Sequence, residues 1–497
     1  MTKGKPLADG PLVVALDIGT SSVRAIVFDS MGHAGLDVQV KYPQHTTADG
    51  GVEVDAEFLL LTVINCLGKV LHRTSSLLDR VVAVGISCFW HSLVGIDREG
   101  RATTPVYSWA DTRSASYAQL LRRELDADAY HLQTGCELHP CFWPAKLLWL
   151  RSTFPEIVQQ TSRWMGFGDF LFLRLFGSEG CSLSMASATG LFDQKTLDWD
   201  DGLLEKVGIG RDSLLNITEL TPITGLRQEF LDTLHRYAKI PFYPAIGDGA
   251  CSNIGSGGTD ETRMVLNIGT SAALRVVAPI EQGGDPGVRN GLFTYRVDGQ
   301  SIVSGGAFAN GGNVYAWFKQ LFQWGDEEAF AKKLAAVKPD SHGLTILPFW
   351  SGERSPGWHP DAHASIDGMN LHTGPVELVR ASLEACAHSF DSSRRAIRKR
   401  FPLAKQIVIS GGAVASSNVF TQIICDVFGQ ELITSRVAEA SSRGAALIAL
   451  RGQGVYAKLS DVPFERAHVF TPNKSWHEIY GAAAKRYQEH YEQRFDT

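Results

Sequence analysis

Apolar residues run without interruption from Val13 to Leu16, stop at Gly19 and Thr20, and resume from Val23 to Phe28. That pattern predicts two strands joined by a glycine-containing turn, a β-hairpin. Leu36 to Val40 predicts a third strand, and helical apolar spacing covers 56–72. "RVVAVGISC" reads as a buried strand and "LVGID" as another. Ala115 to Ala129 predicts one amphipathic helix, and "PAKLLWLRSTFPEIV" a helix opened by Pro144. Farther on, "RMVLNIGTSAALRVVA" repeats the hairpin pattern, and "PVELVRASLEACAHSFDSSRRAIRKR" predicts a long helix starting at Pro375. "QIVISGGAVASSNVFTQIICDVFG" reads as strand, glycine turn and helix, "SSRGAALIAL" opens a further helix lined with small residues, and the C-terminal stretch reads as a connecting loop and a terminal helix.

The two hairpins are near copies. "DIGTSSVR" begins at Asp17, and "NIGTSAALR" begins at Asn267, 250 positions later. A single Gly-Thr turn is commonplace. Two, each within strand–turn–strand and each followed by an arginine, imply a duplicated domain. At 497 residues the chain is too long for one ordinary core. The glycine- and serine-rich stretch "AIGDGACSNIGSGGTDETR" lies between the halves, so the expected domains are 11–257, 258–455 and a C-terminal extension over 456–497.

Composition narrows the function classes. With 44% hydrophobic and 20% charged residues the chain resembles an ordinary soluble enzyme. The net charge of −6 leaves no basic footprint for nucleic acid or an anionic membrane. No apolar run approaches a membrane span, and "MTKGKPLADGP" carries no apolar secretion segment. The eight cysteines are scattered with no CxxC pair, which fits reduced thiols. A cytoplasmic protein is the expectation.

The candidate chemistry starts at the turns. Gly-Thr turns expose backbone N–H groups and hydroxyls that hold phosphate oxygens without a lysine, and two of them can grip a triphosphate across a cleft. Asp17 adds a carboxylate able to hold Mg²⁺, whereas Asn267 keeps the shape without the charge. Neither GxxxxGK[ST] nor GxGxxG is present, so P-loop and Rossmann sites are unsupported. "IGDGACSNIGSG" sets Asp248 between two glycines at the domain junction, where a carboxylate can take the proton of an attacking hydroxyl. An aspartate on such a turn is also an ordinary cap. "CFWHS" and "SWADTRS" offer Trp90 and Trp109 as stacking faces, and His91, Asp111 and Arg113 as hydrogen-bonding groups. The last two also read as an exposed ion pair. Lys146 sits on an apolar helix, and its ammonium either reaches the substrate or snorkels to solvent. The glycine turns of "SGGAVASSNV" and "SGGAFANGGNVYAWF" suit a flat adenine or ribose pressed on the backbone; in "GERSPGW" Glu353 and Arg354 read as a pair.

Together these motifs resemble the FGGY carbohydrate kinases. The resemblance runs from about Val13 to Gly452 and includes "ASIDGMNLHTGPVELVRASLE", similar to the family's C-terminal signature, and "EASSRGAALIAL", similar to its domain-connecting segment. It implies an α/β fold of two duplicated actin-like (ribonuclease H-like) ATPase domains around a central cleft, and ATP-dependent phosphorylation of a sugar or polyol with Mg²⁺. By the resemblance Thr20, Ser21, Arg24, Gly269, Thr270 and Ser271 would contact phosphate. Gly312, Gly411, Gly412 and Asn418 would line the nucleotide pocket, Asp248 would be the catalytic base, and Asp17 with Asp248 would hold the metal. Trp90–Ser92, Trp109–Arg113 and His139–Pro140 before Lys146 look most like the gluconokinase branch, which implies D-gluconate as substrate and Arg113 or Lys146 as the cation for its carboxylate. "HPCFWPAK" is more aromatic than that branch's pattern. A pentulokinase such as a xylulokinase shares His91 and the Asp111–Arg113 pair, and a non-catalytic, nucleotide-gated sugar sensor on the same fold is a third reading. The expected partners are the sugar and ATP, with a homodimer left open.

Overall fold

The protein is described by a computed structural model over residues 7–73, 77–280 and 287–495; the first six residues of the N-terminal stretch and the last two of the C-terminal extension lie outside these. In the first half β1 (Leu12–Ile18), β2 (Ser22–Asp29) and β3 (Ala34–Lys41) form a meander, followed by helix α1 (Ala56–Arg73), β4 (Val81–Cys88) and, much later, the short β5 (Ile246–Gly247). Their order across the sheet is β5-β4-β1-β2-β3, with β4 parallel to β1 and β5 parallel to β4.

The second half repeats this plan. Strands β6 (Arg263–Ile268), β7 (Ala272–Pro279), β8 (Phe293–Arg296), β9 (Ser301–Phe308), β10 (Gln406–Ser410), β11 (Leu432–Ser435) and β12 (Arg466–Phe470) are ordered β8-β9-β7-β6-β10-β11-β12. The hairpin β6–β7 has β10 parallel to β6 and β11 parallel to β10, so β11-β10-β6-β7-β9 matches β5-β4-β1-β2-β3 strand for strand. The duplicated motif is therefore a duplicated sheet. The parallel central strands are buried along nearly their whole length, which is why they read as continuous apolar runs and not as alternation.

Two sequence-predicted helices are each split. The segment 115–129 forms α2 (Ala115–Glu124) and α3 (Ala127–Thr134), because Leu125 is extended and the Asp126 carboxylate accepts the N–H groups of Asp128 (2.9 Å) and Ala129 (3.1 Å), starting a new helix. The next runs as α4 (Trp143–Thr153) and α5 (Pro155–Gln160), broken at Phe154 because proline disfavours helical backbone in the residue before it.

Two helices join the halves. Helix α6 (Asp248–Gly255) follows β5 and also contacts β6 and β7 of the second sheet. After α7 (Gly312–Phe322), the long α8 (Pro375–Arg400), α9 (Gly412–Ser416) and α10 (Asn418–Phe428), helix α11 (Ala440–Gly452) follows β11 and packs back onto β1 and β4. Ala445 to Leu450 belong to the same apolar core as the first sheet. Helices α6 and α11 also pack on each other, so each half lays one helix across its counterpart. The terminal helix α12 (Lys474–Phe495) covers the outer side of the second half, where Tyr480 and Tyr487 are buried. Among the described residues no helix is long and apolar enough to cross a membrane.

Candidate active site

The end of β5 delivers Asp248 to a cavity between the halves. This cavity is lined by Trp90, His91, Trp109 and Asp248 from the first half and by Asn267, Ser271, Arg275, Phe293, Tyr295 and Arg354 from the second. Glycine on either side of Asp248 is a packing requirement. A Cβ on Gly247 would lie 1.7 Å from the Trp90 ring, and one on Gly249 2.5 Å from it. The indole rests on the backbone that carries the carboxylate, donates its Nε1–H to the Ser184 carbonyl (3.1 Å) and meets Tyr295 edge-on at 5.1 Å.

Asp248 Oδ1 accepts the Gly249 N–H at 2.8 Å. Burial raises its pKa above the usual carboxylate range, although Arg275, the N–H groups of Gly249 and Trp90 and, more weakly, Arg354 favour the ionised form. Asp17 is close enough to feel the Asp248 charge. Burial, with that repulsion added, pushes Asp17 up to about 6 against the opposing effects of Ser87 and Arg24. Asp248 lines the cavity and Asp17 lies behind it, outside the lining; two hard carboxylates that repel one another suit a hard cation, which takes one or two carboxylates and completes its shell with water and phosphate oxygens. Asp17 and Asp248 fit Mg²⁺ in this sense, and among the described residues there is no group of three or more His, Cys, Asp or Glu that would suit a metal bound by protein alone.

His91 sits at φ +65°, a left-handed conformation unusual for a non-glycine residue. Its Nδ1 lies 2.7 Å from the Ala188 carbonyl, which only accepts, so Nδ1 carries the proton. Burial drives the His91 pKa down to about 3, leaving Nε2 a neutral acceptor through the physiological range. Acceptor affinity should therefore show no His91 titration between pH 5.5 and 8. His91→Phe should raise the sugar KM roughly tenfold, by loss of one buried hydrogen bond, as read from initial rates. Unfolding takes up the proton that folded His91 refuses. This residue's contribution to stability therefore falls as pH drops from about 6.5 toward 3, and His91→Phe should flatten the acid limb of Tm against pH.

The hairpin turns carry the other predicted residues. Gly19 N–H closes the first turn on the Ser22 carbonyl (3.0 Å), with Thr20 and Ser21 at its tip. Gly269 N–H closes the second on the Ser271 carbonyl (2.9 Å), with the exposed Thr270 between them. Register sets Asp17 opposite Ser87 and Asn267 opposite Ser410, the same place in each sheet. Asn267 Nδ2 donates to Ser410 Oγ at 3.0 Å, a structural tie in place of a second carboxylate. Gly312, at the start of α7, donates to the Gly269 carbonyl (2.9 Å), and a Cβ there would meet Ala413 of α9 at 3.1 Å. The structure thus brings Gly269, Thr270, Ser271, Gly312 and the Gly411–Gly412 turn together beside the second hairpin, while Asn418 is exposed at the first turn of α10.

Four predicted contact residues are held elsewhere. Arg24 lies opposite Asp17 on β2, but its guanidinium pairs with Glu439 of the second half and lies 3.8 Å from Asp37. Arg113 is tied to Asp111 and Glu53 and packs over the rings of Tyr107 and Trp149; Asp111 also accepts the Val52 N–H at 3.0 Å. None of Arg24, Asp111 and Arg113 lines the cavity. Lys146 does not line it either: its buried Nζ donates to the carbonyls of Pro140 (2.9 Å) and Cys141 (2.6 Å), and burial lowers its pKa to about 8. Lys146→Met should cost about 2 kcal/mol by orphaning the buried Cys141 carbonyl, while that of Pro140 keeps the bond from Ser114 Oγ (3.1 Å), measured as a lower denaturant midpoint.

Arg275, Arg354, Phe293 and Tyr295 complete the cavity without having been singled out for it. The two motif arginines occupy different places in their hairpins: Arg24 pairs in register with Asp17, whereas Arg275, one position later relative to its glycine, pairs with Val265. The second turn is one residue shorter, so in register Ala273 takes the place of Arg24, and Arg275 stands two positions farther along the strand on the same face. The expected Glu353–Arg354 pair is not formed. Glu353 accepts the Tyr491 hydroxyl (2.9 Å), and Arg354 lies over the rings of Trp109 (5.6 Å) and Trp358 (5.3 Å).

Residues 12–255 match the N-terminal domain, and 264–452 the C-terminal domain, of the FGGY family of carbohydrate kinases. A gluconokinase of Bacillus subtilis is 28% identical over 457 residues, covering 89% of this chain and 88% of that protein. A xylulose kinase of Staphylococcus xylosus is 26% identical, covering 89% and 91%. The crystal structure of a gluconate kinase from Lactobacillus acidophilus superimposes with a TM-score of 0.89 at 25% identity, covering 96% of this chain and 97% of that one. A ligand-bound xylulose kinase from the same organism gives the same values. Two matching sheets, a carboxylate at the seam between them and both family domains in order lead to one conclusion: the chain belongs to the FGGY family of carbohydrate kinases and is an ATP-dependent sugar kinase.

Proposed function

We propose that the protein transfers the terminal phosphoryl group of ATP to a hydroxyl of an open-chain sugar acid, converting D-gluconate to 6-phosphogluconate. The observation that carries this reading is the position of Asp248: its carboxylate faces a cavity that also presents Trp90, His91 and the Ser271 turn. The hydroxyl oxygen attacks the terminal phosphorus, its proton passes to Asp248, and the bond from phosphorus to the ADP oxygen breaks. Asp248 is suited to this work because burial makes its carboxylate more basic than an exposed one. The hydroxyls and N–H groups of Thr20, Ser21, Thr270 and Ser271 would steady the phosphates. Asp17 and Asp248 would hold Mg²⁺, which when bound neutralises phosphate charge. Trp90 offers its face to sugar C–H groups, and His91 Nε2 accepts from a hydroxyl. Enclosure between the halves keeps water from competing as acceptor.

The gluconokinase likeness and the two guanidinium groups in the cavity support gluconate over a neutral sugar. A pentulokinase such as a xylulokinase is the second reading, favoured by the equally good superposition of a xylulose kinase. A coupled ADP-release assay over D-gluconate, D-xylulose, D-ribulose, L-ribulose and glycerol should show gluconate turned over fastest. Turnover of D-xylulose but not gluconate would refute the substrate assignment.

A further inference from the structure

A sugar acid brings a carboxylate into the cleft, and the two cations expected to receive it are already committed. Arg113 is neutralised by Asp111 and Glu53, and Lys146 is bound to two backbone carbonyls. The cavity instead presents Arg275 and Arg354, two guanidinium groups against the single carboxylate of Asp248, with His91 neutral. The Nε of each arginine is buried and makes no hydrogen bond among the described residues.

The two differ in what balances them. Arg275 reaches Ser252 Oγ at 3.3 Å and lies within the field of Asp248, so its charge has a partner at the reacting end. Arg354 also acts on Asp248, more weakly than Arg275 does, but it forms no ion pair among the described residues, and its side chain lies over the faces of Trp109 and Trp358. Indole faces orient a guanidinium but supply no counter-charge. Asp248 is one carboxylate shared by two guanidinium groups, so the cavity keeps an excess of positive charge until a ligand supplies an anion, and the planar fork of arginine matches a carboxylate. The loop is shaped for this: Trp358 sits at φ +57°, another left-handed non-glycine residue, and its Nε1–H is fixed on the Gly291 carbonyl at 3.0 Å.

We propose that Arg354 selects the acceptor by pairing with the carboxylate of an aldonic acid, so that the enzyme acts on anionic open-chain sugars in preference to neutral ketoses and polyols. The inference rests on the kinase reading of Asp248, and its test separates the two. Because Trp109 belongs to the first half and Arg354 to the second, the substrate carboxylate would be read at a contact between the halves.

The test is calorimetric titration of the full-length protein with D-gluconate and with D-glucitol, in which a hydroxymethyl group replaces the carboxylate, alongside ADP-release assays. The wild type should bind gluconate more tightly than glucitol. Arg354→Gln should weaken gluconate roughly 100-fold and leave glucitol unchanged, as expected when one partner of a buried charge pair is truncated. Arg354→Lys, which keeps the charge without the fork, should recover part of the loss, and it carries the test if Arg354→Gln does not fold. Equal losses for both ligands, or none for gluconate, would overturn the assignment. Turnover of D-xylulose by a protein whose gluconate affinity ignores Arg354 would overturn it while leaving the kinase reading intact. Arg354-dependent gluconate binding without ADP release with any acceptor would do the reverse.

Discussion

Asp248→Asn should lower kcat roughly a thousandfold, within the range by which a positioned general base accelerates proton transfer. The gluconate KM should change little. Asparagine keeps the shape of the side chain and the bond from the Gly249 N–H, but it cannot take a proton at the reacting oxygen. The change removes the repulsion between Asp248 and Asp17 but also the counter-charge of Arg275, so the two effects oppose and the denaturant midpoint should stay close to that of the wild type. That combination distinguishes loss of a base from loss of a fold. Unchanged turnover would remove Asp248 from the mechanism, and a rise in KM with kcat preserved would mean the residue only binds the sugar.

Gly444→Val should be the most damaging change away from the cavity, destabilising the protein by about 3 kcal/mol or more. Helices α6 and α11 cross with their backbones in contact. A Cβ on Gly444 would lie 1.9 Å from the Cys251 carbonyl oxygen, and one on Gly255 1.8 Å from that of Ala440. Neither obstacle is the end of a flexible side chain, so only separation of the helices relieves the clash. Helix α6 begins at Asp248, and separation would also shift the carboxylate. Denaturant unfolding should show a lower midpoint, and any folded fraction should have lost kcat together with stability. A variant with wild-type stability would show that the crossing is not the joint between the halves.

The duplicated hairpins were legible because turn chemistry is local: Gly-Thr between two apolar strands specifies a tight turn twice, although the second is one residue shorter, and the sheets that follow match. Asp248 was legible from its flanking glycines, although the reason for them, the Trp90 indole lying on the backbone, depends on contacts distant in sequence. The helix breaks at Asp126 and Pro155 were written in the chain as a cap and a proline but were masked by apolar periodicity that runs through both. Charged residues were read least well. Arg113, Lys146 and Arg354 look alike in sequence, and their roles depend on which partners the fold supplies: two carboxylates for the first, two carbonyls for the second, two indole faces for the third. Arg275 was hidden because the two turns differ in length by one residue: in register Ala273, not Arg275, takes the place of Arg24, and Arg275 stands two positions farther along the strand.

The most direct measurement is a crystal structure with ADP, a metal fluoride in place of the transferring phosphoryl group, Mg²⁺ and D-gluconate. The fluoride should lie between the turns at Thr20–Ser21 and Thr270–Ser271, and a gluconate hydroxyl should lie within hydrogen-bonding reach of Asp248. Nucleotide bound away from both turns, or a gluconate hydroxyl at the phosphorus mimic with Asp248 turned from it, would contradict the account.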